Sequence, residues 1–130
     1  MELIKLRGRT YYIPGATNVG VYRYRNGMCN LVDTGINNTA GRKIIELLED
    51  NNLKVKYIIN THAHPDHFGG NNYIKEKYPG VQIIASYKEK LFMENSFLEQ
   101  TMLYGASPMP ELSARVLKAQ DTAVDMVVSE

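Results

Sequence analysis

Apolar residues in the first third of the chain fall in short runs of four or five, broken by glycine, asparagine and arginine. Residues 2–6 and Thr10–Ile13 read as short strands on either side of Arg7-Gly8-Arg9. Residues 20–24 and Met28–Val32 flank Arg25-Asn26-Gly27, and an Asn-Gly pair between two such runs signals a hairpin because both residues tolerate positive φ. An antiparallel meander is predicted. The period then changes: Ala40, Ile44, Leu47 and Leu48 recur at helical spacing, so a helix capped by Asn38 or Thr39 and ended by Asp50-Asn51-Asn52 is expected. Residues 54–60 return to strand, and the unbroken run Tyr57-Ile58-Ile59 suits a strand covered on both faces.

Gly69-Gly70 allows close backbone packing, and the helix predicted after it runs to Tyr78, where Pro79-Gly80 stops it. Residues 81–85 read as another strand. Ser86-x-x-Glu89 and Ser96-x-x-Glu99 both fit the capping box, in which serine and glutamate satisfy each other's backbone donors, so two short helices should follow. Pro110 suits the first turn of a further helix through about Ala119, with Leu112, Val116 and Ala119 on one face. Residues 124–128 have strand character. The Met and Tyr residues between Tyr87 and Met109 (Met93, Met102 and Tyr104 among them) could line a substrate cleft, and core or lid packing is the plainer account.

The chain is 130 residues long, 44% apolar, with a formal charge of +1. That suffices for one core and is short for two ordinary domains. No apolar run is long enough to span a bilayer, and residues 1–6 carry an acid and a lysine where a secretory leader would be apolar. With Cys29 as the single cysteine, placed on a strand where a small buried residue fits, a cytoplasmic setting is the expectation. No basic run favours nucleic acid.

The chemistry concentrates in six residues. His62-Ala63-His64-Pro65-Asp66-His67 holds all three histidines of the chain with a carboxylate between the second and third. Imidazole nitrogen and carboxylate oxygen are the usual ligands of zinc and related ions in hydrolytic sites. In extended backbone alternate side chains share a side, so His62 and His64 can reach one ion. Asp66 and His67 lie one step further, and since paired ions sit only about 3.5–4 Å apart, one short loop can serve both. A histidine-rich polar turn is the alternative, and four ligand-type residues in six positions weigh against it.

The run from Thr61 to Gly70 resembles the T-H-x-H-x-D-H-x-G-G signature of the metallo-β-lactamase fold superfamily. Upstream, Asn30-Leu31-Val32-Asp33-Thr34-Gly35 is similar to that family's first motif, a strand ending in an aspartate and a glycine turn. Tyr57-Ile58-Ile59-Asn60 matches the strand leading into the metal loop. The resemblance covers residues 1 to about 85.

It implies a metal-dependent hydrolase acting on a small ester, thioester, lactone or phosphoester. His62 and His64 would belong to the first metal position and Asp66 and His67 to the second, with Asp66 also orienting the nucleophilic water. Asp33 would sit behind the ligands, accepting the distal N–H of a ligand histidine. Zinc is the first candidate, with iron and manganese suited to the same donors. The fold implied is α/β, or α+β in some schemes: a four-layer αβ/βα sandwich of two similar halves.

The family draws further ligands from downstream histidines and an aspartate, whereas this sequence has no histidine after His67. Two ligands per ion fall short of the three or four that zinc normally has. Residues 1–130 are therefore expected to form a single partial domain, the first half of the sandwich, with a mixed sheet, helices on one face, and no complete active site alone. Three readings stay open: a portion of a hydrolase, a non-catalytic metal-binding or self-associating half-domain, or one part of a split enzyme. In each the exposed sheet face calls for a partner, either a second copy or the C-terminal half.

Overall fold

The computed structural model describes residues 1–105 and 120–129. Among the described residues, seven strands form one sheet in chain order: β1 (Ile4–Arg7), β2 (Thr10–Ile13), β3 (Val19–Arg23), β4 (Met28–Val32), β5 (Lys54–Ile59), β6 (Gln82–Ser86) and β7 (Met126–Val128). The first four pair antiparallel, as the meander predicts, and β4 through β7 pair parallel. The change of sense follows from the connections. A two-residue turn can only reverse the chain, whereas a helix returns it to start a parallel neighbour. Those helices are α1 (Asn38–Asp50), the single-turn α2 (Pro65–Phe68), α3 (Asn71–Lys77), α4 (Tyr87–Glu94) and α5 (Phe97–Tyr104). The helix predicted over 110–119, and Met109 before it, lie outside the described residues.

Cross-strand register sorts the sheet into two faces. Tyr11, Val21, Leu31, Ile58 and Ile83 form one row across five strands. This face meets Ile44, Ile45 and Leu48 of α1, Ile74 of α3 and Phe68 of α2 in the core. The adjacent row, Tyr12, Gly20, Val32, Ile59, Ile84 and Met126, points the other way. Ile59 is 36% exposed and Met126 43%. The expectation that β5 is covered on both faces is thus corrected: helices cover one face, and an unbroken apolar run reads the same whether its second face is buried or open. Cys29 is fully buried, and burial pushes its thiol up to about 12 despite nearby Arg23, which makes it a packing residue.

The cap of α1 is Asn37, one residue before the two expected: its Oδ1 accepts from Ala40 N at 2.9 Å. Of the two predicted capping boxes, the first is half formed, with Ser86 Oγ accepting from Glu89 N. The second does not form. Ser96 instead donates through both N and Oγ to Asp121 Oδ1, at 2.8 and 2.6 Å. Asp125 Oδ2 accepts from Ile83 N and Lys75 Nζ. Burial works against it, but those two donors prevail and hold the Asp125 carboxyl below its ordinary range.

The histidine loop is seated on the segment leading into α1 through glycines. Gly69 N donates to Gly35 O at 2.8 Å. A Cβ on Gly69 would stand 2.0 Å from Ile36 O, and one on Gly70 would stand 2.4 Å from Thr34 O. Only hydrogen fits at either position, so Gly69-Gly70 provides the close backbone approach its sequence promises.

Candidate metal centre

Strand β5 ends at Ile59, and the chain continues into the histidine loop before Pro65 opens α2. Proline suits a first helical position because it has no N–H to leave unpaired. The alternating geometry expected of an extended loop therefore applies to His62 and His64, while Asp66 and His67 are presented by a helical turn that the sequence pattern did not announce. The turn brings the histidines together. His62 and His67 ring centroids are 4.0 Å apart, and those of His62 and His64 4.6 Å apart.

Asp33 organises two of these rings. It lies just past the end of β4 at φ 66°, anchored by its N–H to Ile59 O. Its Oδ1 accepts from Thr61 N at 2.9 Å, and its Oδ2 takes Thr61 Oγ1 at 2.7 Å and His67 Nδ1 at 2.9 Å. A carboxylate oxygen accepts, so this hydrogen bond uses a proton on His67 Nδ1 and does not engage Nε2. The same logic passes through Thr61. Its hydroxyl hydrogen is directed to Asp33, so Oγ1 accepts from His62 Nδ1 at 2.8 Å and leaves His62 Nε2 free. One buried carboxylate thus engages Nδ1 of His67 directly and Nδ1 of His62 through Thr61.

Carboxylate oxygens lie near the Nε2 atoms of His67 and His64. His67 Nε2 lies 3.6 Å from Asp66 Oδ2. His64 is 60% exposed, with Nε2 3.4 Å from Glu99 Oε1, so its Nδ1 is the uncommitted ring nitrogen. Among the described residues, Asp33, His62 and His67 form the group whose ligand atoms lie within 4.8 Å of one another. Asp33 in that group already accepts from four donors, Asn60 Nδ2 at 3.4 Å being the fourth, so its oxygens support the rings, and Asp66 offers the more open carboxylate. The group brought together, Asp33, His62 and His67, offers imidazole nitrogen and carboxylate oxygen, the donor types of a divalent-ion site, and His64 and Asp66 lie outside it.

Polar side chains hold the loop from beneath. Thr34 Oγ1 donates to Asn71 Oδ1, Asn71 Nδ2 donates to Asn60 Oδ1, both at 2.7 Å, and Asn60 Nδ2 reaches His67 O at 3.2 Å. All three side chains are buried and satisfied through one another, a network that specifies a single loop position. Thr17 Oγ1, from the β2–β3 connection, donates to Asp66 O at 2.8 Å.

An open cavity of ≈ 220 Å³ adjoins the histidines, walled by His62, His64, Glu89, Phe92, Glu99 and Met102. A larger one of ≈ 480 Å³, between residues 13–17 and the start of α1, meets the site only at Asp66. Burial raises the Glu99 carboxyl above its ordinary range; His64 opposes this, while Asp66 and Glu89 add to it. The two accounts of the Met and Tyr residues divide: Met93 is fully buried in the core, whereas Met102 is 71% exposed at the cavity rim. Thr61 and Glu89 escaped the sequence reading. Thr61 stood inside the signature and Glu89 inside a helix cap, and neither local pattern discloses its tertiary contact.

The family model of the metallo-beta-lactamase superfamily matches residues 12–128. A hydroxyacylglutathione hydrolase of Prochlorococcus marinus (strain MIT 9312) is 49% identical over 47 residues, 36% of this chain and 19% of that protein. Another of the same description, from Pelagibacter ubique, is 46% identical over 55 residues, 42% of this chain and 23% of its own. Among solved structures, BJP-1, a subclass B3 metallo-beta-lactamase of Bradyrhizobium japonicum, aligns with all of this chain at TM-score 0.77 and 27% identity. FEZ-1 of Legionella gormanii does so at TM-score 0.78 and 16% identity, a likeness of fold. The chain spans 46% and 47% of those two structures, and the matched stretches are about a fifth of the hydrolases' lengths. Among the described residues no helix is long and apolar enough to cross a membrane. With its aspartate-ended strand, its histidine loop and a family match across nine-tenths of its length, the chain belongs to the metallo-beta-lactamase superfamily.

Proposed function

We propose that the chain carries the first part of the metal site of a hydrolase for thioesters of the hydroxyacylglutathione kind. The observation that carries this reading is the Asp33-centred set of hydrogen bonds, which engages Nδ1 of His67 directly and Nδ1 of His62 through Thr61 and holds the two rings 4.0 Å apart, centroid to centroid. His62 and His64 would hold one ion and Asp66 and His67 a second. Zinc suits these donors, and iron and manganese accept them too. A bound divalent ion supplies Lewis acidity and hydroxide near neutral pH. The chain's own residues do the positioning: Asp66 accepts a hydrogen bond from the attacking water and aims it, and Asp33 keeps the proton of His67 on Nδ1. The local likeness to hydroxyacylglutathione hydrolases supports the thioester class.

Two protein ligands per ion predict weak loading. Titrated with zinc against a chromophoric chelator, the chain should bind with modest affinity, and His62→Ala or His64→Ala should remove binding at the first position. Two tightly held ions per chain would show that ligands outside His62, His64, Asp66 and His67 complete the site. Zinc binding unaffected by either substitution would place the ion elsewhere.

The open sheet face bears on what accompanies this half. It presents Tyr22, Ile59, Met126 and Val128, each at least 36% exposed, with Val32 and Ile84 between them. Apolar surface of this extent is uncommon on a monomer. The 130-residue chain in isolation is proposed to cover it with a second copy, sheet against sheet. Sedimentation equilibrium at micromolar concentration should give a dimer, and a clean monomer overturns the pairing.

A further inference from the structure

The side chain of Glu89 does not do what its helix-capping motif calls for. In a capping box the glutamate three residues into the helix turns back to the backbone N–H of the capping serine. Ser86 keeps its part, with Oγ accepting from Glu89 N at 3.4 Å. Glu89 Oε2 instead leaves α4 and accepts from Ala63 N at 2.6 Å, across 26 residues of sequence. Ala63 is the buried residue between His62 and His64.

We infer that Glu89 is a positioning residue of the metal loop, clamping the peptide that joins the two histidines of the first metal position. The inference rests on the metal reading proposed above. His62 and His64 present their rings together only if the backbone between them holds its extended shape, and Ala63 N–H is the polar group at the centre of that stretch. A hydrogen bond from an amide to a carboxylate is among the stronger neutral-to-charged contacts available to a loop. Its origin on α4 matters as well. That helix begins directly after β6, so the clamp ties the histidine loop to the rigid sheet through a neighbour other than β5. Thr61, Asp33 and the Asn60–Asn71 pair hold the loop from the β4 side, and Glu89 holds it from the opposite side. Truncating groups that orient metal ligands without touching the metal commonly weakens binding by about 10–100-fold.

The test compares Glu89→Ala with Glu89→Gln in the 130-residue chain, read by zinc affinity and by the Ala63 amide in NMR. Glutamine retains a carbonyl acceptor while losing the charge. Expected are zinc binding about 10–100-fold weaker in E89A and within about threefold of wild type in E89Q. In the metal-free protein the Ala63 amide proton should be protected from exchange, shifted downfield, and moved upfield in E89Q. Wild-type affinity in E89A overturns the clamp, and equal losses in E89A and E89Q overturn it in favour of charge alone. If E89A does not fold, the amide comparison between wild type and E89Q decides, with a freely exchanging Ala63 amide in the wild type as the contrary result. Wild-type chain that binds no zinc yet protects this amide would sink the metal reading and leave the clamp standing.

Discussion

Alanine at position 33 is expected to cost the folded state about 3–5 kcal/mol, whereas asparagine at the same position should cost far less and still weaken metal binding. In Asp33→Ala, four donors lose this acceptor at a buried site: Thr61 N–H, Thr61 Oγ1–H, His67 Nδ1–H and, at the longer 3.4 Å, Asn60 Nδ2–H. Alanine would also have to adopt φ 66°, a left-handed conformation that adds about 1 kcal/mol or more for a residue other than glycine or asparagine. Asparagine tolerates that backbone and keeps an acceptor for Thr61 N. Its amide nitrogen, however, would face His67 Nδ1 as a donor, so the ring proton would be driven to Nε2, the nitrogen the ion needs. Urea denaturation should therefore separate the variants, with Asp33→Asn near wild type. Zinc titration should group them, both about 10–100-fold weaker. Wild-type zinc affinity in Asp33→Asn would show that the tautomer of His67 is not set from this carboxylate.

Gly69→Ala is expected to remove about 3 kcal/mol or more, a large share of the stability of a chain this size. The added Cβ would meet Ile36 O at 2.0 Å, Ile36 C at 2.2 Å and Asn37 N at 2.7 Å. All three are backbone atoms, so no side chain can rotate away, and the shift must move the segment that caps α1. Glycine is not needed there for its dihedral freedom: Gly69 has φ −61° and ψ −24°, ordinary for any residue. The requirement is volume alone. Gly80→Ala is the control, since nothing lies within 4 Å of a Cβ there, and it should be neutral or slightly stabilising. Denaturation midpoints of the two variants check the contrast; similar midpoints would mean the loop and α1 are not in the contact described.

Much of the sheet was legible because its signals are local. Asn26-Gly27 marks the β3–β4 hairpin, and the period of α1 is written in Ile44, Leu47 and Leu48. The alternating short runs gave six strand positions to within two residues, and β7 lies inside the run read over 124–128. What the pattern misjudged was decided at longer range. Asn37, Asn38 and Thr39 are all competent caps, and the extended backbone at Asn37, φ −161°, chose among them. Ser86-x-x-Glu89 and Ser96-x-x-Glu99 are alike on paper. Asp121, 25 residues on, draws Ser96 away from one box, and Ala63 draws Glu89 out of the other. At the site, the histidine loop and Asp33 stood out through residue type and motif. Thr61 did not, because its role exists only once β4 and β5 lie side by side and bring Asp33 against it.

The Asp33 hydrogen bonds have a thermodynamic consequence for how an ion would be received. The carboxylate joins the end of β4 to Thr61 and His67 with protein donors alone, so the ligand nitrogens are aimed by the same contacts that close the parallel sheet. The conformational entropy of ordering the loop is therefore spent during folding. Capture of the proposed ion would then resemble docking into a rigid receptor, with little heat-capacity change, in contrast to small zinc modules whose chains order only around their metal.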